Sequence, residues 1–371
     1  MRAGTASAGP GRVALIEAVG RGGWRRYRAF RRQSHLGQSG YCATAEFAFE
    51  NLTRDKTAFA RSCWTQPLLA VVDGSVQAEC LLVHDQALPA LQVAFFEAQV
   101  GAQSAVDALL GRAKAEARRR RLPRVIVGLD GHVSYGVGIL TEGFEPASFG
   151  SPWNGPHRGG FFDRWRRQGL TAYSGSVADA VRLARLRTKR ADSAGPVISV
   201  RGFDRRDWAG EMETFRRLCD ATLGTTPFYA PTEHGHFADL LRGLKPFLRP
   251  ENLLFALDGS QAVGFLFWHP DYNQVLPKGR RLTMAEIGWR LSCRAKSIDT
   301  AVVNAIGVVR EYRGVATTAL LARFADHLDG HFSRFETTFV WDVNQASTSL
   351  GHAFQARPRR RFAVWTQEVA P

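Results

Sequence analysis

The segment from residue 299 to residue 328 constrains the fold more than any other part of this 371-residue sequence. Its first part, 299–309 (DTAVVNAIGVV), is rich in β-branched residues, as is typical of a buried strand. Apolar side chains then recur at helical spacing over 319–328. The small residues of the turn at 313–318 allow successive backbone N–H groups to face one anion at the start of the helix. The segment therefore predicts a strand, a turn suited to a pyrophosphate, and a helix.

This segment resembles motif A of the GNAT superfamily of acyl-CoA N-acyltransferases, in which R/Q-x-x-G-x-G/A follows a strand. Arg313 and Gly314 match its RGxG form, whereas Ala316 replaces a usual glycine and Thr318 a usual glycine or alanine. The alternative is a strand, turn and helix without a ligand, because short motifs of this kind also occur by chance. The resemblance implies that the backbone at Val308 or Val309 polarises the thioester carbonyl and that the cofactor phosphates bind Arg313, Gly314, Val315, Ala316, Thr317 and Thr318.

The segments after this helix follow the GNAT order. Residues 335–343 are a second β-rich run, Asn344 begins a short helix, and 359–368 form a last strand. In the family an asparagine at this place lies beside the pantetheine arm, so the resemblance assigns that contact to Asn344. The family's tyrosine that protonates the departing thiolate is missing, because Gly351 occupies its expected position. The neighbouring His352 is the candidate for that role.

The first half of the chain has the same order of elements as the second. Asp-Gly pairs at 73–74 and 258–259 each join two β-rich runs and predict two hairpins. A strand at 91–98 and a helix at 104–121 follow the first hairpin, but the turn at 99–103 between them has one glycine and no arginine. We therefore expect an α/β fold with mixed sheets, built from two tandem GNAT-type folds, of which the first is degenerate and mainly structural.

The predicted organisation has three parts. Residues 1–12 are expected to be disordered, 13–192 to form the degenerate GNAT-type domain, and 193–371 to form the acyl-CoA-binding catalytic domain. Within the first half, residues 161–168 predict a short helix. The whole chain resembles the bacterial YghO-like group of tandem GNAT-type proteins, through its two hairpins, PD-x-N at 270–273 and W-x-x-N at 341–344.

The chain is strongly basic, with 49 Lys and Arg against 34 Asp and Glu and a net charge of +15. Such a charge attracts anionic partners, among them CoA, an acidic acyl carrier protein, a transfer RNA and a membrane surface. Basic runs at 118–121, 164–167 and 357–361 exceed what one CoA needs and favour the carrier protein. Arginine bias in the genome, with a solvated basic surface, accounts for the same excess and leaves CoA as the donor.

Other classes of protein are disfavoured by what the sequence lacks. No apolar run approaches the ~20 residues of a membrane span, and the first residues have no signal-peptide core, so we expect a cytoplasmic protein. The five cysteines are scattered and never form a C-x-x-C pair, which argues against a disulfide framework and a zinc site. His234 and His236 have no third ligand at a zinc-like spacing, so no metal is expected.

The candidates for acid–base chemistry are few. Glu233, His234 and His236 precede the second hairpin, where the family often presents its acceptor, and Asp342 follows the strand after the motif A helix. Of these candidate bases, Glu233 and Asp342 are retained. Together with His352 they form the predicted catalytic set. Each is also explained as an ordinary loop or capping residue, and water can remove the amine proton without a dedicated side chain.

The leading hypothesis is an N-acyltransferase that moves an acetyl or longer acyl group to an amine of a small molecule or peptide. The donor is a thioester of CoA or of carrier-bound phosphopantetheine, and the amine attacks directly in a ternary complex. A step in natural-product biosynthesis is one setting for this reaction. Two alternatives stay open: a catalytically silent GNAT-type binding module, and an aminoacyl-tRNA-dependent transferase, since such enzymes also pair two GNAT-type folds.

Overall fold

The computed structural model describes residues 12–54, 57–190 and 196–370. Nearly all of the N-terminal segment predicted to be disordered, and the predicted boundary between 192 and 193, lie outside these residues. Within them, fourteen strands form one mixed sheet with helices on both faces. The prediction of a mixed α/β fold is confirmed.

The first half contains seven strands and five α-helices among its described residues. In chain order these elements are β1 (Val13–Glu17), α1 (Gly20–His35), α2 (Glu46–Thr53), α3 (Ala58–Ser62), β2 (Trp64–Val72), β3 (Ser75–His84), β4 (Leu91–Ala98), α4 (Gln103–Arg119), β5 (Arg124–Val127), β6 (Ile139–Glu142), β7 (Arg166–Ser176) and α5 (Val177–Arg190). A 3₁₀ turn, Pro156–Phe162, precedes β7.

The second half repeats this order. Its elements are β8 (Ile198–Gly202), α6 (Trp208–Leu223), α7 (His236–Leu240), β9 (Leu253–Asp258), β10 (Gln261–Pro270), α8 (Met284–Arg294), β11 (Thr300–Val308), α9 (Val315–Leu328), β12 (Arg334–Thr337), β13 (Val340–Trp341), α10 (Gln345–Ala353) and β14 (Arg357–Glu368).

Both Asp-Gly pairs form the tight turns that the sequence predicts. Asp73 and Gly74 have φ of 49° and 82°, which is the conformation that a two-residue hairpin of type I′ requires. In the second hairpin Gly259, with φ of 57°, is the first of the two loop residues between β9 and β10. A glycine at that place suits a type II′ turn, so the two hairpins are closed by different turn types.

The two halves exchange their last strands. The sheet order is β1-β2-β3-β4-β5-β14-β7-β12-β11-β10-β9-β8, so β14 from the end of the chain pairs with β5 of the first half. In this pairing Trp365 lies opposite Val127, and in the reciprocal one Phe335 of β12 lies opposite Gly175 of β7. β7 and β14 also pair with each other at the centre of the sheet.

The exchange extends into the hydrophobic cores. Trp365 packs in the core between the first half's strands and α4, where its ring centroid is 5.3 Å from that of Phe162. Tyr173 of β7 and Val181 of α5 pack in the core of the second half, around α9. Each half therefore completes the core of the other, and the predicted division into domains at 192/193 stays a prediction.

One local prediction is wrong. Residues 161–168 end a 3₁₀ turn and begin β7 instead of forming a helix. The reason is non-local, because β7 lies between β14 and β12 in the middle of the sheet. Strand pairing on both edges outweighs the weak helical pattern of so short a segment.

Candidate functional site

The beginning of α9 has the geometry that motif A predicts. Gly314 caps the helix with right-handed φ and ψ of −70° and −63°, and an added Cβ there would meet no atom within 4 Å. Since the right-handed region suits every residue, alanine is tolerated at position 316, where the side chain is fully buried. Arg313 is exposed, and the first turn of a helix leaves backbone amides without intrahelical partners.

Two details of this turn differ from a simple phosphate cradle. The Thr318 hydroxyl donates to the carbonyl oxygen of Gly314 at 3.0 Å, so in this structure it is turned back onto its own helix. The Tyr312 hydroxyl donates to Asp258 Oδ2 at 2.9 Å, which fixes the turn before α9 to the second hairpin. The bond to the hairpin therefore adds to the turn's own backbone bonds, from Tyr312 N to Val309 O and from Arg313 N to Arg310 O.

The strand β11 loses its partner on one edge halfway along. Its last hydrogen bonds toward β12 run from Thr338, whose amide donates to Val303 O at 3.0 Å and whose hydroxyl donates to Asn304 O at 3.3 Å. The register with β10 shifts at Asn304, where β11 forms a bulge. Beyond this bulge β11 and β12 diverge and a gap opens between them.

The direction of the backbone groups in this gap follows from the sheet. The amide of Val309 donates to Val263 O at 2.9 Å, on the β10 side. Because N–H and C=O groups alternate in direction along a strand, those of Ile306 and Val308 point to the gap. Of the two residues predicted to polarise a thioester, Val309 thus has its amide engaged in the sheet, and Val308 has its amide directed at the gap.

The corresponding edge of β4 in the first half is covered. The amide of Gln99 donates to Gln77 O at 2.8 Å, so Gln99 corresponds to Val309, and Ala98 and Phe96 face the equivalent gap. The Ala98 carbonyl accepts a hydrogen bond from His157 Nε2 at 2.8 Å, and the Phe96 carbonyl accepts one from Arg158 Nη1 at 3.4 Å. The chain before β7 therefore fills the first gap.

The turn after β4 is also shorter than its counterpart. The helix α4 begins at Gln103, four residues after Gln99, whereas α9 begins at Val315, six residues after Val309. The turn before α4 is thus two residues shorter and has no arginine. This geometry agrees with the prediction that the first copy is degenerate.

A cavity of about 910 Å³ lies between the two halves. The first half contributes α1, α2 and the end of β4, and the second half contributes α6 and the β11 gap. Residues that line it include Arg31, Glu46, Phe96, Glu97, Asp130, Phe215, Phe267, His269, Asn304 and Thr338. The volume is that of a site for a drug-sized molecule, and Asn304 and Thr338 at the start of the β11 gap line it.

Solved structures of GNAT proteins share this architecture. A tandem GNAT protein from the clavulanic acid biosynthesis pathway superposes with a TM-score of 0.52 and 12% identity, over 97% of this chain and 99% of that one. A probable N-acyltransferase from Enterococcus faecalis gives 0.56 at 10% identity, over 96% and 73%. A GCN5-related N-acetyltransferase from Sphaerobacter thermophilus gives 0.50 at 11% identity, over 97% and 96%.

The chain has the tandem GNAT fold. Identities this low show the fold alone, and neither a family model nor a curated protein matches the sequence. The expected pair of GNAT-type folds is thereby confirmed, whereas the resemblance to the YghO-like group stays a prediction.

Buried charges form one wall of the cavity in this tandem GNAT chain. The Arg31 guanidinium donates from Nε to Glu46 Oε2 at 2.8 Å and lies with Nη1 3.4 Å from Glu97 Oε1, while Arg158 pairs with the other oxygen of Glu97. The neighbouring Glu79 is fully buried, and burial raises the pKa of its carboxyl well above the usual range. The wall is therefore polar but close to neutral overall.

A histidine that the sequence did not single out lines the cavity near the β11 gap. His269 Nδ1 lies 2.8 Å from the carbonyl oxygen of Pro270, which only accepts, so Nδ1 carries the proton. Burial lowers the pKa of His269 to about 4, and the ring is neutral at pH 7. Nε2 is then an unprotonated base. Its position at the end of the second hairpin strand was the only signal in the sequence.

The predicted catalytic residues lie elsewhere, and none of the three lines the cavity. Glu233 is exposed in the loop before α7. Asp342 is exposed and accepts a hydrogen bond from the Thr171 hydroxyl at 2.8 Å. His352 is exposed on α10, with its ring centroid 6.0 Å from that of Tyr173.

Asn344 is the N-cap of α10, and its Oδ1 accepts a hydrogen bond from the Ser347 amide at 3.1 Å. The position matches the prediction, and the capping role alone explains the residue type. In the described part of the chain, no group of three His, Cys, Asp or Glu side chains is placed to hold a metal ion. None of the described helices is long and apolar enough to cross a membrane.

Proposed function

We propose that the protein is an N-acyltransferase whose second half binds the acyl thioester and whose central cavity binds the amine. The observation that carries this proposal is the difference between the two gaps. The edge of β11 at Ile306 and Val308 has lost its strand partner, whereas the equivalent edge of β4 is covered by His157 and Arg158. A pantetheine arm can hydrogen-bond as an added strand only in the second half.

The reaction assigns a part to several residues of the second half. The CoA phosphates bind at the start of α9, at Arg313 to Thr318, where free amides and the helix dipole favour anions. The Val308 amide polarises the thioester carbonyl in the gap. The amine nitrogen attacks the carbonyl carbon, the N–C bond forms and the C–S bond breaks. The amine proton passes to His269 Nε2, directly or through water, and the thiolate takes a proton, for which His352 stays the predicted donor.

CoA is the donor that the charges favour. Two of the three basic runs that suggested a carrier protein contain arginines that are paired within the chain. Arg119 and Arg120 both contact Glu116, and Arg359 and Arg360 both contact Glu336. These arginines have less charge to offer a carrier protein than the sequence implied. Equal rates and equal salt dependence with an acyl group on CoA and on a carrier protein are the expected result.

Binding of acetyl-CoA and longer acyl-CoAs, measured by calorimetry, tests the donor site. The double variant Arg313→Glu and Gly314→Asp is expected to abolish binding by placing two carboxylates against the phosphates. Ser104→Asp is the matched control, because it adds a carboxylate at the start of α4, where we expect no donor. Both changes add acidic groups to a helix N-terminus, which stabilises helices and protects the fold.

Acyl transfer is tested separately with a panel of amines, by release of free thiol from acyl-CoA. Release that depends on the amine and is lost in the double variant supports the proposal. Acyl-CoA binding without release on any amine favours a catalytically silent module instead. Transfer from an aminoacyl-tRNA but not from acyl-CoA would establish the third alternative.

A further inference from the structure

Seven arginines of the described part of the chain line the central cavity, and two of them have no carboxylate partner among the described residues. Five are paired: Arg31 with Glu46, Arg54 with Glu50, Arg158 with Glu97, Arg242 with Asp239, and Arg281 with Glu50. Among the described residues no acidic side chain forms an ion pair with Arg28 or Arg32. These two are therefore the cations whose charge is available to a ligand.

Arg28 and Arg32 lie one turn apart on α1 and share one face of that helix. Arg28 has its guanidinium carbon 5.3 Å from the ring centroid of Trp24, and its Nε–H is buried without a partner among the described residues. A buried donor of this kind is stabilised by an acceptor oxygen. The pair therefore suits a ligand group with several anionic oxygens, since guanidinium groups bind carboxylate and phosphate with parallel N–H bonds.

The rest of this wall cannot satisfy the two arginines. Glu46 of α2 lines the cavity and its carboxylate is engaged by Arg31, which together with His35 and Tyr41 holds the pKa of Glu46 below its usual value despite burial. Glu97 is held between Arg31 and Arg158. Glu46 and Glu97 are thus already paired with other arginines, and neither forms an ion pair with Arg28 or Arg32.

Asn304, Thr338 and His269 line the same cavity where it meets the β11 gap, and this is its second-half end. This end carries the chemistry of the proposed function, because the thioester carbonyl and the base lie there. The two ends belong to different halves of the chain, and one continuous cavity of about 910 Å³ joins them. A molecule that occupies both ends must carry its amine and its anionic group at a distance from each other.

We propose that the acceptor is an amine with a remote anionic group, which it places on Arg28 and Arg32 of the first half while its amine lies at the β11 gap of the second. This inference rests on the proposed function for the position of the amine. The first half then selects the acceptor through α1, although the gap beside β4 is filled and binds no donor. A carboxylate and a phosphate both provide the anionic oxygens that the two guanidinium groups require. The compounds used in the test distinguish between them.

The test measures binding by calorimetry on the full chain without any thioester. The probes are unbranched ω-amino acids of increasing length, the n-alkylamines of the same lengths, and the corresponding ω-aminoalkyl phosphates. We expect affinity to pass through an optimum with length, and the anionic compound to bind about tenfold more tightly than the alkylamine at that length. Whether carboxylate or phosphate gives the larger gain identifies the group.

Arg28→Gln and Arg32→Gln are each expected to remove most of this tenfold gain and to leave alkylamine binding unchanged. Arg25→Gln is the matched control, because Arg25 is an exposed arginine of the same helix that does not line the cavity. Unchanged thermal unfolding shows that the variants are folded. Equal affinity for anionic and neutral amines, or an equal loss in Arg25→Gln, would overturn the inference.

The outcomes separate this inference from the proposed function. If acyl-CoA does not bind but the anionic amines bind through Arg28 and Arg32, the transferase proposal fails and the anion site stands. If acyl transfer occurs and shows no preference for an anionic group at any length, the transferase proposal stands and the anion site fails.

Discussion

The carboxylate of Asp130 accepts a hydrogen bond from the backbone amide of Phe95, with 2.6 Å between Oδ1 and N. Phe95 has a φ of 49° and lies where β4 is irregular, at the place that Ala305 occupies beside the bulge of β11. In the first half, side chains of the chain itself thus occupy backbone groups at the gap: Asp130 takes the Phe95 amide, and His157 and Arg158 take two carbonyls. The first gap is closed by protein contacts, not merely by loss of a motif.

Asp130→Asn is expected to change stability in a pH-dependent way. Burial raises the pKa of Asp130 from 3.8 to about 6, so the folded state holds this proton to higher pH than the unfolded state. The free energy of unfolding therefore falls as pH rises from 3.8 to about 6, and it stays at its lower value above that range. The asparagine keeps the hydrogen bond to Phe95 without this loss. Urea unfolding should show the variant more stable by about 1–3 kcal/mol near pH 8 and equal near pH 3; equal stability at both values contradicts the prediction.

Trp365→Ala should destabilise the first half, although this residue lies near the end of the chain. Its side chain is 3% exposed and packs beside Phe162 in the first core. Removing a buried tryptophan costs about 3–5 kcal/mol. Hydrogen exchange should show lost protection in β4 and β5 before any loss in β9 and β10. Trp289→Ala is the control, because that side chain is 59% exposed and its loss should change stability by less than about 0.5 kcal/mol.

Arg360→Met should be far more damaging than Arg361→Met. Arg360 is 1% exposed, and its guanidinium donates to Glu336 Oε2 at 3.0 Å and to Pro146 O at 2.6 Å. Removing it leaves a buried carboxylate with one partner fewer, which costs about 3–5 kcal/mol. Arg361 pairs with Glu142 at the surface, where both side chains are about half exposed, so its loss should cost less than about 1 kcal/mol. Similar unfolding midpoints for the two variants would show that the buried pair is not needed.

His269→Asn tests the proposed base. The asparagine amide can still donate toward Pro270 O, but an amide is too weakly basic to take a proton from the amine, so kcat should fall about 10²-fold or more while acyl-CoA binding is kept. His352→Asn, Asp342→Asn and Glu233→Gln give the same measurement for the candidates that the sequence suggested. With a pKa of about 4, His269 is unprotonated throughout the neutral range, so the rate should not vary with its titration above about pH 5. If kcat falls more than tenfold in one of these three variants and is unchanged in His269→Asn, the proton-transfer role belongs to that residue and not to His269.

The strand–turn–helix of β11 and α9 could be predicted from the sequence because its signals are local. β-branched residues, small turn residues and helical spacing all lie within residues 299–328, and the repeated hairpins revealed the second copy. The cofactor contacts predicted at Arg313 to Thr318 and Asn344 depend on a ligand, and they stay predictions.

What could not be predicted depends on distant pairs. Residues 161–168, which include the start of β7, have a weak helical pattern. Nothing near them in the sequence indicates that β14 and β12 lie on either side of β7. Glu97 and Arg158 are 61 residues apart and meet only through the fold. His269 resembled an ordinary strand end, and the lowered pKa that makes it a candidate base comes from burial under residues of both halves.

The exchanged strands set an order in which the chain can fold during synthesis. The strand β14, which covers the edge of β5, begins about 230 residues after β5 ends. At about 5–20 residues per second, the ribosome takes on the order of 10–50 s to make this stretch. During that time β5 is an uncovered edge strand of the first half's sheet, and such an edge is a known template for wrong pairing. Protection by a chaperone in this interval is therefore of more value to this chain than to two GNAT folds joined simply end to end.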